Sequence, residues 1–599
     1  MFLKGIIEKN FKYFFFFFSY LRYKIFVLII LSLFVGILDG FGLALFIPLF
    51  QVAVDGSGQS SSPELGQMDF LLDFINSVGF NLTITNILIF MTLLFLFKGV
   101  FKFFDSYYKV SLQIFFVKKL RFKMLDGMED VSYQNFVGMD AGRIQNTLSA
   151  EVYKVTASFI SYFNTLQYAV LLIVYMGLAF VSNWQFAILV SIGGFLSNLF
   201  FKILFKRTEA ASIEISSKGH VFQSFLIQAV QHFKYLKATS YFRNYKQKLT
   251  NQVDEIEGLQ KKIGLYNSIL NGLREPIILI IVVIVILIQV SLLGGALASI
   301  LLSLMFFYRA LNYVISVQSS WQTFISQFGG IVSSTEIITM FEEGEEVNPG
   351  RDPMGTLEHI SLQNVGFGFK DGHQILENVD LEIQKKQTIA FVGPSGSGKT
   401  TLVNLIVGLY NPSEGNVYVN GLERTQLNIL ELRSKVGYIT QEPVIFNDTV
   451  YNNVTFWSPK NEENLRKFWK AIDMANLSEF VEGLIGQEEM VLGDNGVKAS
   501  GGQKQRISIA RELFKEVEII VFDEATSALD SDSEKVIQEN INSLQGQYTI
   551  ILIAHRLSTI KNVDRIYLID QGNIKASGAF DQLFSSDADF KRMVQLQEF

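Results

Sequence analysis

Six stretches of this chain, near residues 25–54, 84–117, 157–181, 185–205, 268–292 and 297–320, are long and apolar enough to cross about 30 Å of hydrocarbon. A bilayer offers no partner for backbone N–H and C=O groups, so each stretch must close its own hydrogen bonds as a helix. Beyond Phe341 the pattern changes to short apolar runs separated by turn residues, which suits a water-soluble domain. The 599 residues, 49% of them hydrophobic and 18% charged, are therefore read as a membrane half (1–340), an acidic linker "FEEGEEVNPG" (341–350) and a soluble half (351–599). The net charge is −6 and no basic patch stands out, so nucleic acid is not an expected partner. The absence of Cys excludes disulfides, thiolate metal sites and a cysteine nucleophile.

The connections alternate in charge. Residues 51–83 carry acids but no Lys or Arg, and the short links at 182–184 and 291–295 are uncharged. By contrast, "KKLRFK" (118–123) and the stretch from Lys202 to Lys262 are strongly basic. The positive-inside rule then places both termini, the long connections and the soluble half in the cytoplasm, with the spans in the cytoplasmic (inner) membrane. The start, "MFLKGIIEKNFKYFFFFFSYLRYK", has no small-residue cleavage site and reads as an amphipathic elbow on the inner face or as the beginning of the first span. Residues 141–159 and 228–262 have helical apolar spacing and no Pro, so they are expected as membrane helices continued into the cytoplasm.

The soluble half carries a phosphate-binding signature. "GPSGSGKT" (393–400) follows the apolar strand "TIAFV" and opens the helix "TLVNLIVGLY". Gly393, Ser395, Gly396, Ser397, Gly398 and Thr401 would present backbone and hydroxyl groups to ATP, Lys399 would neutralise the β- and γ-phosphates, and Thr400 would hold Mg²⁺. "IIVFDE" (519–524) would deliver Asp523 to the metal from a strand end, with Glu524 beside it to polarise the attacking water.

Between these lies "KASGGQKQRISIARE" (498–512). Ser500, Gly501, Gly502 and Gln503 resemble the signature of ATP-binding-cassette (ABC) proteins. That resemblance covers the soluble half and implies further roles. Gln441 in "ITQEPVIF" would be the Q-loop glutamine and a Mg²⁺ ligand, Asp530 in "SALD" the D-loop residue, and His555 in "IAHR" the switch histidine. Phe369 would stack on adenine where Tyr is commoner, Ala499 replaces the usual Leu before SGGQ, and Asp494 fills the acidic position of an exporter-type segment. The membrane half resembles the six-helix domain of ABC exporters. The implied fold is an α-helical six-span membrane domain with long cytoplasmic helices, fused to an α/β P-loop nucleotide-binding domain. The implied assembly is a homodimer that sandwiches ATP, the signature of one copy covering the nucleotide of the other. With Lys399, Asp523, Glu524, Ser500 and His555 all present, neither site of such a dimer would be degenerate.

Charges also occur at depth. Asp39 sits within "GILDGFGLALFIPLF"; Lys98, Lys102 and Asp105 share a helix face at i, i+4 and i+7; Arg309 lies in the sixth span, and Arg274 and Glu275 precede Pro276. Asp39 would pair with Lys98, Lys102 or Arg309 and fix two helices, or mark a cavity lined by Asp39, Lys98, Lys102 and Arg309. The first span resembles that of ABC transporters for lipid-linked oligosaccharides, which implies an amphipathic, anionic lipid-type substrate. A multidrug or lipid-A-type exporter of apolar compounds is the alternative. A regulator or ATP-gated channel on this scaffold is disfavoured by the intact Glu524 and His555.

Overall fold

The computed structural model describes residues 13–46, 49, 83–182, 184–291, 297–347, 350–369, 373–525, 531–554 and 556–597. The chain divides into two compact units, one running to Glu345 without Ser132–Gln134, the other comprising those three residues and Glu346 onward.

The first unit is helical: α1 (Lys24–Ala44), α2 (Ile84–Asp130), α3 (Val152–Ser182), α4 (Trp184–Gln231), α5 (Phe242–Ser291), α6 (Leu297–Ser326) and α7 (Phe328–Glu343). Helices α2, α4 and α5 have 47, 48 and 50 residues, more than twice the ~20 that a bilayer needs. The polar stretches expected as continuations are helical: α4 runs to Gln231, α5 begins at Phe242, and Ala141–Asn146 leads through a π-helical turn, Thr147–Glu151, into α3. Among the described residues, four helices are long and apolar enough to cross a membrane: Lys24–Ala44, Ile84–Asp130, Ala141–Phe180 and Phe242–Ile288. The expected spans at 185–205 and 297–320 lie on α4 and α6, part of whose side chains lie outside the described residues, as do residues 51–82 and 292–296. Before α1, residues 13–21 form a helix that turns at Arg22, where φ is 51°. Its Phe17 and Leu21 are buried against Phe116, Phe159 and Phe163, so one face of the expected elbow is part of the bundle core.

One face of α4 is a polar seam with a four-residue period. Thr208 accepts from Gln322 Nε2 (3.0 Å); Ser212 donates to the Ser326 carbonyl (2.8 Å) and accepts from the Gly329 N–H (3.0 Å). Ser216 donates to Glu151 (2.8 Å), His220 meets Ser333 through Nε2 (3.0 Å), and Ser224 donates to Asp140 (2.6 Å). Residues four apart fall on one helix face, so the period is the seam. Close approach requires glycine opposite: a Cβ on Gly142 would collide with Ser224, and one on Gly329 with the Ser212 carbonyl. At the centre, Glu151 (1% exposed) takes Lys154 (2.8 Å) and Ser216, and Asn146 reaches it at 3.3 Å. Asn146 therefore turns its amino group toward His220 Nδ1 (3.0 Å), which leaves Nε2–H as the donor to Ser333 and the ring neutral.

In the second unit, β1 (His359–Gly368), β2 (Gln374–Gln384), β4 (Glu414–Val419) and β5 (Leu422–Glu423) form an antiparallel sheet of order β2-β1-β4-β5. Strands β3 (Thr388–Val392), β6 (Val436–Ile439), β7 (Ile519–Asp523), β8 (Thr549–Ile553), β9 (Arg565–Asp570) and β10 (Asn573–Gly578) form a second sheet of order β10-β9-β3-β8-β7-β6. All its pairings are parallel except β9–β10. Helix α8 (Lys399–Ile406) follows β3, and α9 (Gly501–Phe514) precedes β7. Every residue of β3 is buried, as expected for a parallel strand covered on both faces. The expected linker begins inside α7, which continues to Glu343 because Phe341 is still buried against Gly127.

If the seam sets the spacing of α4 and α7, Gly329→Val should cost about 1–3 kcal/mol through overpacking. Ser212→Ala should cost about 1 kcal/mol through lost hydrogen bonds. Thermal unfolding of both variants beside the parent protein measures the order.

Candidate functional site

The loop after β3 is built to hold an anion. Gly393 has φ 153° and a Cβ there would collide with the Ile569 carbonyl; Gly396, at φ 79°, has nothing within 4 Å and stays open. Helix α8 starts at Lys399 behind Gly398, which provides no side-chain cap, so the first N–H groups of the helix are free of side-chain competition. Lys399 Nζ donates to the carbonyls of Gly393 (3.0 Å) and Pro394 (2.8 Å). Burial pulls its pKa below the ordinary lysine value, against the opposing pull of Glu524 and Asp523. Ser397 Oγ is buried without a hydrogen-bond partner, an acceptor-ready hydroxyl in the cradle itself.

A cavity of about 540 Å³ opens over this loop. Of the residues expected to bind nucleotide, Ser395, Gly396, Gly398, Lys399, Thr400 and Thr401 line it, together with Glu524, expected as a catalytic residue. Phe369 is not among them: its ring stands edge-on to Phe367 (5.3 Å) and Tyr410 (6.0 Å). The lining also includes His373, Gln374 and Ile375 at the start of β2 and Gln571 and Gly572 between β9 and β10. A Cβ on Gly572 would collide with the Ile375 carbonyl, and its own carbonyl accepts from Glu377 N–H (3.0 Å), so this wall is made where the β9–β10 turn meets the start of β2.

Strand β7 delivers Asp523 to the same end of the sheet. Asp523 Oδ2 accepts from Tyr438 Oη (3.1 Å), and Gln441 Nε2 donates to Glu524 Oε2 (2.9 Å). Glu524 has φ 50°, a left-handed backbone that costs a non-glycine residue about 1–3 kcal/mol and is held by its N–H bond to Ile553 (3.1 Å). Ser500 caps α9 in a reciprocal box: its Oγ accepts from Gln503 N–H (3.3 Å), and Gln503 Oε1 accepts from Ser500 N–H (2.8 Å). The hydroxyl proton of Ser500 remains available to a ligand. Ser500 and Gly501 are exposed, Gly502 and Ala499 are buried, and Asp494 accepts from Asn447 (2.6 Å). Asp530 and His555 lie outside the described residues.

In the helical unit, the buried carboxylate of Asp39 takes an ion pair from Lys98 and hydrogen bonds from Tyr175 (2.7 Å) and Tyr313 (3.5 Å). Asp105, fully buried, takes Ser32 (3.0 Å), Gln167 (2.7 Å) and Lys102 (3.4 Å). Lys98 and Lys102 are thus spoken for by separate acids. Arg309 is exposed, with no hydrogen bond or ion pair among the described residues.

Residues 26–312 match the family described as the ABC transporter transmembrane region, and 376–527 match the ABC transporter family. Over 509 residues the chain is 30% identical to the heterocyst differentiation ATP-binding protein HepA of a Nostoc species, covering 84% of this chain and 82% of that one. The chain is an ABC transporter. It is also 29% identical over 516 residues to the ATP-dependent lipid A-core flippase of Francisella tularensis, covering 83% of each. A solved bacterial Atm1-family ABC exporter with ATP bound shares the fold, with a TM-score of 0.79 at 20% identity, over 97% of this chain and 100% of that one. The transporter is therefore an exporter-type half-transporter, a helical membrane domain fused to an ATP-binding cassette, and its ATP hydrolysis is coupled to transport.

The donor set at the cassette suits Mg²⁺. Thr400, Gln441 and Asp523, the expected ligands, would offer hard oxygen donors, and among the described residues no three His, Asp or Glu side chains converge. Mg²⁺ is ordinarily held by one or two carboxylates plus substrate phosphates and water, so so few acids are enough. Once bound it would supply neutralisation of the phosphate charge.

Helix α9 carries one unusual acid. Burial pushes Glu512 up to about 7 from 4.5, against the pull of Lys515 and Arg511, and burial likewise lowers Lys515. A folded pKa above the unfolded one means that the favourable state is fully present below pH 4.5 and is lost as pH rises through about 7. Glu512→Gln should accordingly stabilise the transporter at pH 8 by on the order of 2 kcal/mol, with the gain vanishing toward pH 4.5. Thermal unfolding of both proteins across that range reads the difference.

Proposed function

We propose that this transporter uses ATP to export or flip an amphipathic, anionic lipid-type substrate, such as a lipid-linked oligosaccharide, across the cytoplasmic membrane, working as a homodimer with its termini in the cytoplasm. The observation that carries the substrate class is the likeness to a lipid A-core flippase over 83% of each chain, joined to the charge balance of the membrane half. The acids Asp39 and Asp105 neutralise Lys98 and Lys102; the first pair joins α1 to α2, the second lies within α2, and Asp105 reaches α1 and α3 through Ser32 and Gln167. Arg309 is left exposed and available to an anionic head group, where a guanidinium can grip phosphate oxygens in two-point fashion.

In the cassette, ATP would lie over Gly393–Thr401 with Lys399 withdrawn from its carbonyl partners to the β- and γ-phosphates. Thr400, Gln441 and Asp523 would hold Mg²⁺. Glu524, steered by Gln441, would accept a proton from the attacking water, its backbone strain being the kind stored at reactive positions. Ser500–Gln503 of a second copy would cover the γ-phosphate, and Asp530 and His555 would complete the site. Phe369 would reach adenine only after leaving its edge contacts with Phe367 and Tyr410.

The test is ATPase turnover in lipid. Glu524→Gln should lower it at least 10²-fold, as loss of a general base does, while ATP binding persists. A polyprenyl-pyrophosphate-linked sugar should stimulate the parent protein, and Arg309→Ala should remove that response with basal turnover intact. Equal stimulation by apolar drugs, insensitive to Arg309→Ala, would instead make the protein a broad-specificity exporter.

A further inference from the structure

Strand β6 is an edge strand, paired only with β7. Edge strands leave a row of unpaired backbone groups that must be covered. Here the covering comes from side chains of the helix that opens with the signature. Lys515 Nζ, just past the end of α9, donates to the Val436 carbonyl (2.8 Å) and Gln505 Nε2 donates to the Thr440 carbonyl (3.2 Å), while between them the Glu512 carboxylate faces the Tyr438 N–H. Gln505 and Glu512 are both buried. The three contacts fall on alternate residues, 436, 438 and 440, which all face away from β7 in an extended strand.

The strand so held, and the turn that follows it, carry two side chains toward Glu524, which lines the cavity, and its neighbour Asp523. Gln441 donates to Glu524, and Tyr438 Oη donates to Asp523 Oδ2 at 3.1 Å with Asn404 Oδ1 at 3.5 Å.

We infer that Tyr438 is a positioning residue for the divalent-cation site: its hydroxyl fixes the orientation of the Asp523 carboxylate, and α9 fixes Tyr438. The inference rests on reading Asp523 as a Mg²⁺ ligand. A ligating carboxylate held by one outer hydrogen bond loses typically 10–100-fold in metal affinity when that bond is removed. Tyr438→Phe keeps the ring and deletes only the donor.

The experiment uses the full-length protein with a non-hydrolysable ATP analogue and follows Mn²⁺ binding by the loss of its free paramagnetic signal. Tyr438→Phe should weaken Mn²⁺ about 10-fold, while analogue binding in excess chelator stays at the parent level. Asp523→Asn runs beside it and should weaken Mn²⁺ at least as much. Parent-like Mn²⁺ binding by Tyr438→Phe, with Asp523→Asn impaired, overturns the inference alone. Parent-like binding by Asp523→Asn overturns the metal reading and the inference with it. If Tyr438→Phe also loses the analogue without metal, it acts through the phosphate loop and the inference falls.

Discussion

A charge taken out of water has to be met by donors or counter-charges, because leaving it unpaired costs several kcal/mol. Much of this chain is arranged around that requirement. Asp39 gathers Lys98, Tyr175 and Tyr313, and so ties α1 to α2, α3 and α6. Asp105 does the same for α1, α2 and α3 through Ser32 and Gln167. Glu151 anchors the π-helical turn to α4 through Ser216. In the cassette, Lys399 is buried and parks its ammonium on two carbonyls of its own loop. The first three sites spend their charge on holding helices, whereas Lys399 holds a charge that a phosphate can claim.

The architecture was legible where a local pattern has one physical meaning. Apolar runs longer than a bilayer needs gave helices, and "TIAFV" before a Gly-rich loop gave a buried strand opening into α8. The i, i+4, i+7 spacing of Lys98, Lys102 and Asp105 rightly put them on one face of α2. Lys102 pairs with Asp105 one turn along the same helix, whereas the pairing of Lys98 with Asp39 was not legible, because it depends on how helices distant in sequence come together. The same holds for Tyr175 and Tyr313, which look like ordinary membrane aromatics until Asp39 is placed between them. In the cassette, Gly572 carries no motif. It lines the cavity over the Gly-rich loop because its turn packs on Ile375, a contact across almost the whole domain. Phe369 illustrates the reverse case: the motif position was recognisable, but its ring orientation is decided by Phe367 and Tyr410.

The signature helix shows how one element can serve two ends. Its first turn, capped by the Ser500–Gln503 box, presents a hydroxyl and backbone groups outward. Its later turns close the open edge of the sheet through Gln505 and Glu512. The price of that arrangement is a carboxylate in a place where burial favours its neutral form.

The seam along α4 has a property that follows from its period alone. Thr208, Ser212, Ser216, His220 and Ser224 repeat every fourth residue, which is a rise of about 6 Å at 1.5 Å per residue. Four residues turn a helix by about 400°, so the seam also drifts about 40° around α4 at each step. Successive members therefore meet successive partners: Gln322 and Ser326 on α6, Gly329 and Ser333 on α7, and Glu151 and Asp140 ahead of α3. A single helix can in this way clasp three neighbours with one short repeat, and His220, bonded on both sides by Asn146 and Ser333, is where two of them meet.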